Sequence, residues 1–364
     1  MPLSASPVRA DSPLPCVTRR ELAEAAERIG PYCVRTPVVG FDAAIAGAPG
    51  APQILCKLDM LQSTGSFKIR SAANSLLQLH QKDPRELQRR GVCTASSGNW
   101  AQSVALMCRE LGCPFTVAVP LQCPEAKLQN ITRIYPAARV HKVSPDEFWT
   151  VVTQLHFKGA PDAVYVSPVI DRETVAGNGT MGLELLQQVH DFASVDAVLV
   201  PTGGGALAMG IAAALEYAGV QLAPGGQRKA WAVEVETAAP FAAAFAKGED
   251  TLGITMRPTF VDCIGNKAIF PGMWRLAEAA LAGSLVVTPA ECATAVKLLV
   301  EQNKVVAEGG SAASLAAALK YSAAKGWKRV VCVVSGGQID TAKVVEILGE
   351  GTVPGEGGLK LARL

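Results

Sequence analysis

The sequence predicts an α/β protein of two domains, each built on a parallel-rich sheet covered by helices, with a ligand cleft between them. Two blocks of alternating strands and helices, at residues 91–166 and 179–348, indicate this because such alternation is typical of parallel sheets. The unbroken apolar run at 197–200 supports it, since a strand covered on both faces needs apolar side chains on both. The 364 residues suffice for two domains.

The first ninety residues lead to a single lysine. Residues 1–17 are rich in Pro, Ser and Ala and are predicted to form a disordered arm. A helix is predicted over 18–29, because Thr18 followed by Glu21 is a capping-box pattern. Residues 54–59 form a strand candidate that delivers Lys68, and a helix is predicted over 69–80.

Residues 91–168 are predicted to form the smaller, mobile domain, and 18–90 with 169–350 the larger one. The predicted strands lie at 91–95, 114–119, 138–143, 164–166, 197–200, 230–235 and 330–334. The predicted helices lie at 100–111, 124–134, 145–157, 179–189, 206–217, 240–247, 277–281, 289–302, 311–324 and 341–348. Residues 351–364 form a Gly-rich C-terminal tail that the pattern specifies weakly.

Composition excludes several classes of function. The net charge is +2 and no basic block is interleaved with aromatic residues, which argues against nucleic acid as a partner. The ten cysteines and four histidines show no paired spacing, so neither a metal site nor a disulfide framework is predicted. No signal-peptide core and no apolar run long enough to span a bilayer is present, so we expect no membrane partner and a cytoplasmic location.

Lys68 follows a turn of small residues, 63–66, and opens a predicted helix. The positive end of the helix dipole favours the neutral form of an amine at this place. A neutral amine can attack a carbonyl, so Lys68 could hold an aldehyde cofactor as a Schiff base. The alternative, from these residues alone, is a surface lysine after a helix cap.

A second candidate site is the turn Thr202-Gly203-Gly204-Gly205 between a buried strand and a helix. Backbone N–H groups at a helix N-terminus bind a phosphate, and glycines let it come close. The turn has neither the lysine of a P-loop nor a dinucleotide fingerprint, so one phosphate fits better than a dinucleotide. A plain strand-to-helix turn is the alternative.

Two further groups of polar residues follow predicted strands, where open α/β sheets bind their ligands. Ser335 could exchange a hydrogen bond with a ring nitrogen, or it could simply cap the last helix. Ser96, Ser97 and Asn99 could bind a carboxylate or a phenolic oxygen. A serine-protease site is not predicted there, because no nucleophile elbow or convincing acid/base partner is present.

Taken in order, these motifs resemble those of a known family. Ser63 to Arg70, Ser96-Ser97-Gly98-Asn99, the glycine turn after Val200-Pro201 and Ser335-Gly336-Gly337 resemble the fold-type II pyridoxal-phosphate enzymes, the tryptophan-synthase-β-like group. Within that group the chain is similar to the serine/threonine dehydratases and serine racemase, from about residue 18 to about 348. The order of four motifs is far more specific than any one of them.

The resemblance implies pyridoxal 5'-phosphate as the cofactor and a role for each matching residue. Lys68 would hold the cofactor and move protons, Phe67 would pack near its ring, Asn99 would bond the phenolic oxygen and Ser335 the pyridine nitrogen. The phosphate would be bound by backbone amides of Gly203, Gly204, Gly205, Ala206 and Leu207. Glu308 matches a glutamate near the cofactor whose role stays open.

The resemblance also implies how substrate is bound. Ser96, Ser97 and Asn99 would line the carboxylate pocket, and Ser97 matches the serine that serves as the second-face acid/base in racemases. Relatives usually differ at Trp100, Cys263 and Val169, which puts the identity of the substrate in doubt. Glu234 matches one ligand of a metal site known in some relatives, but Ala238 and Pro240 bring no second acid, so no metal is predicted.

The resemblance therefore implies a lyase that converts a 3-hydroxy amino acid, such as L-threonine or L-serine, to a 2-oxo acid and ammonia. A small amino acid is thus the expected partner, and a homodimer the expected assembly. The alternatives are an amino-acid racemase, a β-replacement synthase and, outside the enzymes, a regulatory protein that binds the cofactor without turnover. Retention of both Lys68 and Ser97 argues against the last.

Overall fold

The computed structural model describes residues 3–4, 16–44, 52–223, 225–251 and 253–364. Most of the arm predicted at 1–17 lies outside these residues. Within the described ranges the strands are β1 (Val38–Phe41), β2 (Gln53–Leu58), β3 (Val92–Ala95), β4 (Phe115–Pro120), β5 (Arg139–Val143), β6 (Val164–Tyr165), β7 (Ala197–Pro201), β8 (Ala230–Val235), β9 (Ser284–Val287) and β10 (Arg329–Val334). None of the described helices is long and apolar enough to cross a membrane.

The helices alternate with these strands as the sequence predicts. They are α1 (Arg19–Ile29), α2 (Lys68–Lys82), α3 (Pro84–Arg90), α4 (Asn99–Glu110), α5 (Glu125–Ile134), α6 (Pro145–Gln154), α7 (Arg172–Gln188), α8 (Ala206–Tyr217), α9 (Pro240–Lys247), α10 (Met273–Ala280), α11 (Pro289–Leu298), α12 (Gly309–Lys325) and α13 (Thr341–Val345). Wider π-type turns extend α11 and α13, at Leu299–Asn303 and Glu346–Glu350.

The strands form two sheets. The larger has the order β1-β2-β10-β7-β8-β9 and the smaller the order β5-β4-β3-β6. The described pairings are parallel, apart from β1 with β2. This confirms the predicted fold class.

Helices cover both faces of the larger sheet, as its apolar strands require. In β7, Val198 and Val200 belong to one buried cluster, while Ala197 and Leu199 belong to a second cluster on the other face. Successive side chains of a strand point to opposite faces, so the central strand contributes to both cores.

The predicted domain boundary at residue 91 separates the strands of the two sheets. Helices before this boundary nevertheless pack against the smaller sheet. Leu76 of α2 and Leu87 of α3 lie in the same buried cluster as Val92 and Phe115 of the smaller sheet. The division into a large and a small domain therefore stays a prediction.

Helix α7 begins at Arg172, seven residues before the predicted start at 179. The glycines at 177 and 179 lie inside this helix, which crosses its neighbours closely. A Cβ on Gly177 would lie 2.6 Å from the carbonyl oxygen of Arg70, and one on Gly179 would lie 2.4 Å from Leu22 Cδ2. The glycines are needed for helix packing and not for a turn.

Three elements were missing from the prediction, and the tail is more ordered than expected. Strand β1, at Val38–Phe41, was not assigned. Neither β9 nor α3 was assigned, because Ser284–Val287 is short and lies between two helices, and Pro84–Arg90 is a charged heptapeptide. The tail after residue 350 packs against the protein: Val353 is fully buried, and Thr352 forms an antiparallel bridge with Lys360.

Candidate active site

A cleft lies where strands of both sheets end. It is lined by residues that follow β3, β7 and β10, which end at Ala95, Pro201 and Val334, and has a volume of about 390 Å³. The carboxyl ends of parallel strands are where open α/β sheets bind ligands. Every site residue predicted from the sequence lines this cleft: Phe67, Lys68, Ser96, Ser97, Asn99, Gly203, Gly204, Gly205, Ala206, Leu207, Glu308 and Ser335.

Lys68 is the first residue of α2, and its amine is half-buried among apolar groups. Nζ lies 4.8 Å from the centroid of the Phe67 ring and 6.0 Å from that of Trp100, and it donates a hydrogen bond to the carbonyl oxygen of Pro168 at 3.3 Å. Burial lowers the pKa of Lys68 to about 8. A substantial fraction of the amine is therefore neutral near pH 8 and able to accept a proton.

The turn that carries Lys68 is tied to the turn after β10. The Phe67 amide donates to the carbonyl oxygen of Ser335 at 2.8 Å, and the Gly337 amide donates to that of Gly65 at 2.9 Å. Gln338 Nε2 adds a bond to the carbonyl oxygen of Thr64 at 3.0 Å. These bonds fix the start of α2 against the edge of the larger sheet.

A buried ion-pair cluster holds α2 from below. Arg70 donates through two nitrogens to the carboxylate of Asp59, both at 2.7 Å, and through NH1 to Glu184 at 2.7 Å. Asp59 and Arg70 are both fully buried. Removing one partner of a buried ion pair lowers the free energy of unfolding by about 3–5 kcal/mol. Since Arg70 lies two residues after Lys68, this cluster holds the first turn of α2 in place.

The glycine turn is the N-terminal end of α8. Gly205 precedes the helix with φ of +96°, in the left-handed region that favours glycine. A Cβ on Gly204 would lie 2.3 Å from Val169 Cγ2, so no side chain fits there. The first N–H groups of the helix have no partner within it and are available to an anion.

Glu308 lies just before α12 and links several predicted site residues. Its Oε1 accepts a hydrogen bond from Asn99 Nδ2 at 2.9 Å and one from Ser311 Oγ at 3.4 Å. Ser311 Oγ lies 3.1 Å from Ser335 Oγ and accepts from the Gly336 amide at 2.6 Å. Burial raises the pKa of Glu308 to about 7.

Sequence reasoning missed Ser311, which joins Glu308 to Ser335. It lies three residues after Glu308, in the first turn of α12, and that spacing places both on one helix face. The helical prediction over 311–324 began at Ser311 itself, so the relation to Glu308 was not visible.

Two of the departures from the family pattern have structural roles. Trp100 is buried, and its Nε1 donates to Thr94 Oγ1 at 2.8 Å. Val169 packs against Gly204 as described above. Cys263 lines the cleft beside Glu308 and is exposed. Trp100 thus packs α4 against β3.

Glu234 lies away from the cleft and caps a helix. Its carboxylate accepts hydrogen bonds from the amides of Phe241 and Ala242, at 3.0 and 2.7 Å, and from Ser284 Oγ at 2.7 Å. Burial raises its pKa to about 7. In the described parts of the chain, no group of three or more His, Cys, Asp or Glu residues could hold a metal ion.

Comparisons with known proteins agree with this geometry. Residues 30–336 match the family described as "Pyridoxal-phosphate dependent enzyme". The chain is 31% identical to the L-threonine ammonia-lyase of Thermotoga maritima over 93% of this chain and 79% of that protein. It is 34% identical to the L-threonine ammonia-lyase of Geobacter sulfurreducens over 85% of this chain and 73% of that protein.

A solved structure has the same fold. The crystal structure of serine racemase from Dictyostelium discoideum superimposes with a TM-score of 0.75 at 29% identity, covering 89% of this chain and 99% of that chain. The similarity thus extends over both sheets and the cleft between them.

Proposed function

This chain belongs to the family of pyridoxal-phosphate dependent enzymes, and from that premise we propose that it converts a 3-hydroxy amino acid to a 2-oxo acid and ammonia. The observation that carries the proposal is the amine of Lys68, of lowered pKa, in one cleft with the glycine turn. The two L-threonine ammonia-lyases described above support this choice of reaction.

The residues of the cleft fit the cofactor. The turn Gly203–Gly205 lines the cleft beside the N–H groups of Ala206 and Leu207, which can bind a phosphate. Asn99 Oδ1 is buried and has no hydrogen-bond partner among the residues that the structure describes. One Asn99 N–H donates to Glu308, and the second remains for the cofactor.

In the proposed arrangement Lys68 would hold the cofactor through its amine, Phe67 would pack near the ring and Ser335 would bond the ring nitrogen. Pyridoxal phosphate, when bound, supplies the electron sink that makes the α-proton of an amino acid acidic. A neutral hydroxyl at Ser335 does not protonate the ring nitrogen, which suits elimination better than transamination. Glu308 and Ser311 hold Asn99 and Ser335 in place.

Lys68 is the proposed base. Once the amino group of the substrate has replaced it on the cofactor, the free amine of Lys68 would take the proton from Cα, while Ser96, Ser97 and Asn99 would bind the carboxylate of the substrate. The proton from Cα and the hydroxyl from the third carbon leave as water. One water later replaces the amino group, so the sum is one 2-oxo acid and one ammonia for each substrate.

Racemisation is the second candidate, and the similarity to serine racemase favours it over β-replacement and over cofactor binding without turnover. Ser97 lines the same cleft as Lys68. A racemase needs a proton donor on each face of Cα, for which Lys68 and Ser97 are the candidates.

The test is a paired measurement on the enzyme loaded with pyridoxal phosphate. We expect L-threonine and L-serine each to yield one molecule of ammonia for every molecule of 2-oxo acid. Chiral analysis of the remaining amino acid is expected to show slower interconversion of the L and D forms. Fast interconversion with negligible 2-oxo acid would reverse the order of the two activities. If neither 2-oxo acid nor the D form were produced, both candidate reactions would be contradicted.

The proposal includes the assembly and the location predicted from the resemblance. Residues 91–168 would move against 18–90 and 169–350 as the cleft closes, and two copies would form a homodimer in the cytoplasm. Light scattering after size-exclusion chromatography of the loaded enzyme tests the dimer. Small-angle scattering with and without a non-reacting substrate analogue tests the movement.

A further inference from the structure

One wall of the cleft is apolar and comes from α6. Phe148, Trp149 and Val152 of this helix line the cleft. Their positions i, i+1 and i+4 place them close together on one side of the helix. Phe148 and Val152 also pack against the core of the smaller sheet, so they are fixed from behind.

Trp149 has no such structural role. Its side chain is 42% exposed, and it is the one aromatic residue among the exposed large hydrophobic residues of the described chain. It belongs to none of the described core clusters. A large apolar side chain that is exposed in a ligand cleft indicates contact with an apolar part of the ligand.

The facing wall comes from the larger sheet and is also apolar. Val169, Ile264 and Phe270 line it, and Phe270 packs against the core of the larger sheet. Val169 is held by its contact with Gly204. Aromatic rings from both parts of the chain thus line the cleft: Phe148 and Trp149 from α6, and Phe270 from beside the larger sheet.

The charged side chains that line the cleft include one ion pair. Among the described lining residues the cations are Lys68 and Lys127, and Lys127 Nζ lies 3.0 Å from Asp262 Oδ2. Glu308 is hydrogen-bonded to Asn99. A second carboxylate on a substrate would thus have to displace Asp262 in order to pair with Lys127. An apolar group, by contrast, would contact apolar side chains on both walls.

We propose that the substrate carries an aromatic or similarly bulky apolar group on its third carbon, and that Trp149 determines this specificity. The inference rests on the proposed function, because it concerns the substrate of the same cleft. The chemical change is the one given above: 3-phenylserine would yield phenylpyruvate and ammonia.

The first measurement is turnover by the loaded enzyme. We expect kcat/KM for ammonia release from L-threo-3-phenylserine to exceed that from L-threonine by roughly tenfold or more, as a filled apolar pocket discriminates. Trp149→Ala should lower the ratio of the two kcat/KM values by roughly tenfold, and Trp149→Phe should restore part of it. Val345→Ala, which removes an exposed apolar side chain outside the cleft, should leave the ratio unchanged.

The second measurement separates binding from turnover. L-Phenylalanine and L-alanine have no 3-hydroxyl to lose, so their dissociation constants report the side-chain pocket alone. We expect L-phenylalanine to bind roughly tenfold tighter, and Trp149→Ala to remove most of that difference.

The outcomes distinguish the two proposals. Ammonia from L-threonine with a lower kcat/KM for phenylserine, and no preference for L-phenylalanine, would overturn the inference and leave the proposed function intact. Tight binding of L-phenylalanine without ammonia from any substrate would overturn the proposed function and retain the apolar pocket. A ratio that Trp149→Ala does not change would exclude Trp149 as the determinant.

Discussion

The two walls of the cleft are built differently. On the side of the larger sheet, backbone bonds join the turn at Gly65 to the turn at Gly337, and Gly204 touches Val169 too closely to admit any side chain. On the side of the smaller sheet, Trp149 is 42% exposed, and an ion pair of exposed and half-exposed side chains, Lys127 with Asp262, crosses to the other wall.

This difference separates what is fixed from what is adjustable. Around Gly65, Gly204 and Gly337 the first wall is built from backbone and small residues, so we expect almost any substitution at these positions to disturb the binding of the cofactor. The second wall is built from side chains at a helix surface, so it can change with little cost to the fold. We therefore expect the effects of substitution to fall from the first wall to the second.

The largest effect is expected at Lys68. Lys68→Ala should lower turnover at least about a thousandfold, because the base and the covalent attachment are lost together. Borohydride reduction of the loaded enzyme should attach the cofactor to the peptide that contains Lys68. Lys247→Ala, at an exposed position of α9, is the matched control and should keep full activity. A label on another peptide would contradict the assignment.

The next largest effect is expected at the glycine turn. Gly204→Asp should weaken retention of pyridoxal phosphate at least roughly a hundredfold, because a side chain collides with Val169 and a negative charge repels the phosphate. Absorbance after dialysis measures the bound cofactor. Gly225→Asp adds the same charge where nothing lies within 4 Å of the new Cβ, and it should retain the cofactor. Equal retention by both variants would show that the phosphate lies elsewhere.

At Ser97 the loss should be selective. Ser97→Ala should keep most ammonia release from L-threonine, within a few-fold, and lose any interconversion of the L and D forms. Elimination from one enantiomer needs one base, whereas racemisation needs a group on each face. Cofactor absorbance should not change, since Asn99 and the glycine turn are untouched. If both activities fall together, Ser97 is required for substrate binding and not for one face alone.

Glu308 should make the stability of the fold depend on pH. Burial raises its pKa to about 7, so the folded state binds a proton that the unfolded state releases at lower pH. This contribution to stability is complete below about pH 4.5 and is lost as the pH rises through about 7. In cofactor-free protein, the free energy of unfolding measured with urea should therefore decline as the pH rises. Glu308→Gln should make this decline less steep, by up to about 1.4 kcal/mol per pH unit.

The control for this experiment is Glu249→Gln, which changes an exposed carboxylate and should leave the pH dependence as it was. A decline that is equally steep without Glu308 would assign it to other buried carboxyls, of which Glu234 has a pKa raised to the same value by burial.

The smallest effect is expected at the ion pair between the walls. Lys127→Met should change KM by no more than a few-fold, because exposed ion pairs contribute about 0–1 kcal/mol. The effect should disappear at high salt, where the pair is screened in the unmodified protein too. A loss of more than about a hundredfold that persists in salt would mean that Lys127 contacts the substrate directly.

The parts of the molecule that sequence predicted well are those with a local cause. Helix α8 and strand β8 have the predicted bounds, because an apolar run and a following glycine turn or charged loop define them. The start of α7 was wrong because two glycines that allow close helix packing look like a turn in the sequence. Strand β9 was missed because its pairing with β8 is a long-range contact.

The candidate site shows the same division. Lys68 and the glycine turn were found from short motifs, since each needs a particular backbone. Ser311, Lys127 and Trp149 were not assigned a role, because only the folded chain brings them to the cleft.

The position of β10 bears on how the enzyme matures during synthesis. This strand, Arg329–Val334, pairs with β2 on one side and β7 on the other, so the middle of the larger sheet is the last strand made. A nascent chain that lacks it has two exposed sheet edges and no support for the turn before Lys68. We therefore expect the cofactor to be captured only after β10 has been synthesised.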